Sequence, residues 1–226
     1  MTRPKICYIF LLSFLLFNTS ANAGTIIKLG FSNDARPDIE LVSGILSTVD
    51  DGIAATAGDQ NTGVIFDAEL SGEPSLSDSV ASVSFNNISL MGENTTIANT
   101  VLQETMGGDF SLYGEANELL LTGTLGNGLL HGPIGGTATG GFLTTEFGTF
   151  TGGSLLPSLN GMNLSAVSIS LSNVNGRSGL ATNDDGTIQD FTADATANIV
   201  ASPEPSASLM TVVGVVGCML FARRRR

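Results

Sequence analysis

The run Phe191-Thr192-Ala193-Asp194-Ala195-Thr196-Ala197-Asn198-Ile199 alternates without a break, with Phe191, Ala193, Ala195, Ala197 and Ile199 apolar and the residues between them polar. A period of two is that of a β-strand with one buried and one wet face, as antiparallel sheets commonly show. The same period recurs in Val64 to Leu70, where Val64, Phe66, Ala68 and Leu70 share a face, and in Val167 to Ser172, where Val167, Ile169 and Leu171 alternate with serines. Further strands are expected over Thr25 to Phe31, Ile39 to Ser47, Val80 to Leu90, Phe110 to Tyr113, Leu119 to Thr122 and Gly141 to Thr149. Within Val80 to Leu90 the apolar phase changes at Asn86-Asn87, which predicts a bulge.

Turn residues punctuate these runs at Asp50-Asp51-Gly52, Gly58 to Asn61, Gly107-Gly108-Asp109, Gly126-Asn127-Gly128, Asn175-Gly176 and Asp184-Asp185-Gly186. Eight or more short strands at this spacing give an all-β fold, an antiparallel β-sandwich or jelly-roll-like domain. The composition agrees: 28 Gly, no Trp and only 13% charged residues favour strands and turns over helices.

Both ends depart from this pattern. Arg3 and Lys5 precede the apolar run Tyr8 to Phe17, which leads to Ala21-Asn22-Ala23. A basic start, a short greasy middle and an Ala-x-Ala exit form a secretory signal peptide, residues 1–23, cleaved after Ala23 with Ala21 and Ala23 as the recognition pair. At the other end, residues 201–226, Pro203-Glu204-Pro205 is followed by the apolar segment 206–222 and by Arg223, Arg224, Arg225 and Arg226. The prolines hold the junction extended, in a form a protease cleft can grip. The apolar segment is just long enough to cross a bilayer as a transmembrane helix. Four arginines beside it act as a stop-transfer signal and fix that end on the cytoplasmic side. Residues 24–200 are left as one extracytoplasmic domain of about 180 residues, long enough to bury roughly 70% of its unfolded surface.

Pro203, Glu204 and Pro205, the short span and the arginine end together resemble the sorting tail of the PEP-CTERM proteins. That resemblance implies recognition of the three motif residues by exosortase, a multi-spanning membrane protease or transpeptidase. It also implies a Gram-negative host, transient holding in the inner membrane after passage through the translocon and signal peptidase, and a destination on the cell surface or in an exopolysaccharide matrix. The stretch Gly107 to Gly114 followed by Leu119 to Gly123 looks like a hairpin of other ectodomains of this family, with no activity attached to it.

Between Gly24 and Ser202, three basic residues, Lys28, Arg36 and Arg177, stand against twenty of the twenty-one carboxylates, a balance of −17. Such a domain is repelled by nucleic acid and by anionic membrane surfaces. Both cysteines, Cys7 and Cys218, fall in the end segments, so the domain has neither a disulfide framework nor a Cys-based metal site. His131 is the single histidine, and no Gly-x-Ser-x-Gly elbow is present, so an ordinary loop histidine is the plain reading. Asp67 and Glu69 would share an exposed strand face, but sugar-cleaving sites also need aromatic platforms that this composition lacks. No catalytic set is therefore assigned, and the chain is expected not to be an enzyme. The one ligand the composition favours is Ca2+, through Asp50, Asp51, Asp59 and Asn61 or through Asp184 and Asp185, with plain turn chemistry as the alternative. The functional expectation is a non-enzymatic surface or matrix protein, with a calcium-assisted carbohydrate-binding module as the alternative and a secreted hydrolase behind it.

Overall fold

A computed structural model describes residues 24–31, 36–50, 61–68, 76–135, 140–159 and 162–203. The alternating run quoted above forms the body of the last strand, β13 (Phe191–Pro203); Phe191, Ala193, Ala195, Ala197 and Ile199 are buried, and the polar residues between them are exposed or half-buried. Before it come β1 (Gly24–Phe31), β2 (Ile39–Val42), β3 (Ile45–Thr48), β4 (Thr62–Ala68), β5 (Leu76–Asn86), β6 (Ile88–Leu90), β7 (Thr95–Ile97) and β8 (Thr100–Met106). The series continues with β9 (Asp109–Gly114), β10 (Leu119–Pro133), β11 (Gly141–Gly152) and β12 (Met162–Ser172). A 3-10 turn at Leu156–Leu159 is the sole helical element among the described residues. No helix among them is long and apolar enough to cross a membrane. The segments expected to be the signal peptide and the transmembrane helix lie outside the described residues.

All the strands belong to one 13-stranded sheet, and every ladder whose register is resolved is antiparallel. The sheet closes on itself twice. One circuit runs β1-β4-β5-β9-β10-β11-β12-β13 and returns to β1; the other runs β10-β11-β12-β13-β2-β3-β6-β8 and returns to β10. The long strand β10 makes the branching possible: Leu119 to Thr124 pair with β9, while Gly128 to Pro133 pair with β8. Likewise β13 pairs with β2 through Phe191 to Ala193 and with β1 from Thr196 onward. This all-β, antiparallel arrangement is consistent with the sandwich expected from the sequence.

Crossing from one circuit to the other requires sharp bends, and the residues there are suited to them. Asn87, at φ 59, separates β5 from β6 at the predicted change of phase. Gly107 and Gly108, at φ 64 and 128, separate β8 from β9. A Cβ on Gly108 would stand 2.6 Å from Ile88 Cγ1 and 3.2 Å from the Asn86 carbonyl oxygen, so only glycine fits between the two bends. The Gly108 carbonyl in turn accepts the Leu125 N–H at 2.9 Å.

Two expectations need correction. Ile39 to Ser47 is not one strand but the hairpin β2–β3, reversed at Ser43 and Gly44, both in the left-handed region at φ 52 and 79. That geometry suits a tight two-residue turn. Gly126-Asn127-Gly128 is not a turn between strands but an irregularity inside β10, where the register against β11 shifts between Leu125 and Gly128. The hairpin expected from Gly107 to Gly123 is present as β9 and the start of β10.

The inward faces meet in one core. Ile27, Leu29, Phe85, Phe110, Leu112, Leu121, Leu130 and Leu143 are fully buried there, each contributing about 1.5–3 kcal/mol. Phe85 and Phe110 pack with ring centroids 5.3 Å apart, and Phe150 lies 6.2 Å from Phe110.

Candidate functional site

The outward face of the long strands carries a stacked aromatic pair, His131 and Phe142. Leu102, His131, Phe142 and Ser170 are successive cross-strand partners on β8, β10, β11 and β12, and Glu104, Leu129, Thr144 and Ser168 form the adjoining row. Four strands at ~4.8 Å spacing make a platform about 14 Å wide. Phe142 is 48% exposed, and the His131 ring stacks beside it at 5.6 Å with 25° between the planes. Around them lie the hydroxyls of Thr144, Ser168 and Ser170 and the carboxylate of Glu104, with no Lys or Arg in either row. His131 thus sits within a strand rather than in a loop. Chemically, the face can stack a flat apolar surface and offer hydrogen bonds around it.

Of the calcium ligands expected from the sequence, Asp184 and Asp185 lie together in a described turn. Asp185 Oδ1 accepts the Thr187 N–H at 3.0 Å and the Thr187 hydroxyl at 2.6 Å, and Asn183 Nδ2 donates to the same hydroxyl at 2.9 Å. Gly186 follows at φ 80, and its N–H donates to the Asn183 carbonyl at 3.1 Å, closing the turn. The two bonds from Thr187, the side-chain bond first, hold the Asp185 carboxyl below its ordinary value of 3.8. Asp184 is exposed beside it. Of the other cluster, Asp51 and Asp59 lie outside the described residues. Asn61 is buried, and the Asp50 carbonyl oxygen accepts a bond from Arg36 at 3.4 Å. Among the described residues no three His, Cys, Asp or Glu side chains are grouped to hold a metal.

Asp67, half-buried, pairs in register with the exposed Lys28 across β4 and β1; Glu69 lies outside the described residues. Sequence reasoning missed Asp38, a carboxylate only 3% exposed. Its Oδ2 accepts the Ala195 N–H at 2.7 Å, its own N–H donates to the Ala193 carbonyl, and its carbonyl accepts from Val49. Asp38 therefore caps the point at which β13 leaves β2 for β1, a structural task.

Of the sorting residues, Pro203 ends β13, while Glu204, Pro205, the segment 206–222 and Arg223 to Arg226 lie outside the described residues, as do Ala21 and Ala23. The described strands begin at Gly24, immediately after the expected cleavage point, and Gly24 pairs with Ala201. No family profile, curated protein or solved structure matches the chain.

Proposed function

We propose that the chain is an exported, non-enzymatic surface or matrix protein, delivered through its leader and processed at its Pro-Glu-Pro tail by an exosortase-type enzyme. The observation that carries this reading is the order Pro203-Glu204-Pro205, apolar segment 206–222, Arg223 to Arg226. The position of the strands supports it: β1 starts one residue after Ala23, and β13 reaches Pro203, the first residue of the motif. We read the strands as a sandwich whose layers share β10 to β13. Deleting Pro203 to Pro205 is expected to leave the protein in the inner-membrane fraction with its tail intact, as read by fractionation and mass spectrometry of both ends. Unchanged release overturns the sorting role.

A second reading, retention on exopolysaccharide, is favoured by the Phe142 and His131 platform with its rim of hydroxyls. A platform without Lys or Arg in an acidic domain suits an uncharged glycan, whose C–H faces stack on the ring. Phe142→Ala is expected to weaken retention on the host's polysaccharide roughly two- to tenfold, the worth of one aromatic contact. Equal retention by affinity electrophoresis rejects this role for the face.

A further inference from the structure

The platform of Phe142 and His131 has a charged end. Leu129, 36% exposed, is the neighbouring outward residue on β10 and the direct partner of both Glu104 on β8 and Thr144 on β11. Two residues beyond Thr144 comes Glu146, and both glutamates are exposed. Outward positions repeat every ~6.8 Å along a strand and strands lie ~4.8 Å apart, so the Glu104 Cα stands ~12 Å from that of Phe142 and the Glu146 Cα ~14 Å. Both carboxylates therefore lie to one side of the aromatic pair, and the exposed Leu129 spans the gap to Glu104. None of β8, β10, β11 and β12 contains Lys or Arg.

Such a face offers two things at once: an apolar surface for stacking and, within reach of an adjoining ring, a negative charge with no basic residue on its strands. Uronate or sulfated polymers are repelled by a domain with a balance of −17. A glycan without charge uses the ring and the hydroxyls but leaves the carboxylates unanswered. Amino sugars answer both, because their C–H faces stack on an aromatic ring and their free amines are cations.

We propose that this face takes a polymer of amino sugars, acylated and uncharged over most of its length, with an uncharged ring on Phe142 and the free ammonium of a nearby ring at Glu104. The proposal rests on the glycan reading above and names the class of glycan. Glu104 is the specificity-determining residue, because it stands directly beside the Leu129 surface over which the chain passes. Glu146 adds to the field that draws the ammonium to that end.

The test uses the exported protein purified from its host and two glucosamine oligomers of equal length, one fully N-acetylated and one with about half its amines free, at pH about 6 where such amines are protonated. By calorimetry the free-amine oligomer is expected to bind about two- to fivefold more tightly, the worth of one exposed ion pair. That preference is expected to shrink in high salt and to vanish in Glu104→Gln, which should bind the acetylated oligomer like the parent. Phe142→Ala should weaken binding of both. Glu115→Gln, which removes an exposed charge from the turn after β9, should keep the preference. Absence of binding to either oligomer, equal affinity for the two, a preference that survives Glu104→Gln, or an equal loss in Glu115→Gln overturns the proposal. A lysine-rich peptide that displaces the oligomer and binds more tightly, with the same dependence on Glu104, assigns the face to a protein ligand and overturns it too. If retention on the host's polysaccharide still falls with Phe142→Ala in those cases, the glycan reading stands without the amine. If retention is unchanged, the glycan reading fails and this proposal with it.

Discussion

At Asp185 a single carboxylate oxygen receives two hydrogen bonds from Thr187, and the negative charge is what both donors favour. The carboxyl is therefore held below 3.8, and the sign of its linkage follows. A depressed pKa contributes stability that is fully present at neutral pH and is lost as pH falls from about 3.8 through the lowered value. Thr187→Val, which removes the larger of the two causes, is expected to move the Asp185 titration back up toward 3.8 in carboxyl NMR; an unmoved midpoint would reject the assignment. Sequence alone shows Asp-Asp-Gly as compatible with a turn and with a cation; the bonds from Thr187 to Asp185 are legible only in the fold. Asp38 is the opposite case. Its partner, Ala195, is 157 positions away, so nothing local marks this acid as buried.

Among the elements, the bend between β8 and β9 separates two glycines with the same letter and different roles. At Gly107 a Cβ would meet nothing within 4 Å, so alanine there is expected to cost about 1 kcal/mol for its left-handed backbone. At Gly108 the backbone at φ 128 is closed to other residues and a Cβ would collide with Ile88 and the Asn86 carbonyl. Gly108→Ala is accordingly expected to cost about 2–5 kcal/mol, and thermal unfolding of the two variants should separate them clearly. The strands with apolar residues on one face, β4, β12 and β13, were legible because burial and alternation agree. The strand β8 was not legible, since its inward face is Val101, Gln103 and Thr105 while Leu102 and Met106 point outward. Gln103 is accommodated inside because Nε2 donates to the Met91 carbonyl at 2.7 Å, a partner visible only after folding. The Gly126-Asn127-Gly128 segment misled for a related reason. Bulges and turns draw on the same small residues, and only the pairing of β10 with β8, β9 and β11 decides between them.

At the scale of the whole molecule, hydrophobic alternation predicted an all-β antiparallel fold but not its double closure. Closure depends on β10 and β13 each serving two partners along their length, and no local period encodes it. The candidate face was equally hidden: Phe142 and His131 are eleven residues apart and meet only because β10 and β11 pair in that register. The closed circuits also bear on what happens when many copies are crowded together. Open sheet borders recruit strands from other chains and seed fibrils. In this chain the ends of the strand order are β1, whose free side is taken by β13, and the three-residue β7, too short to template a growing stack.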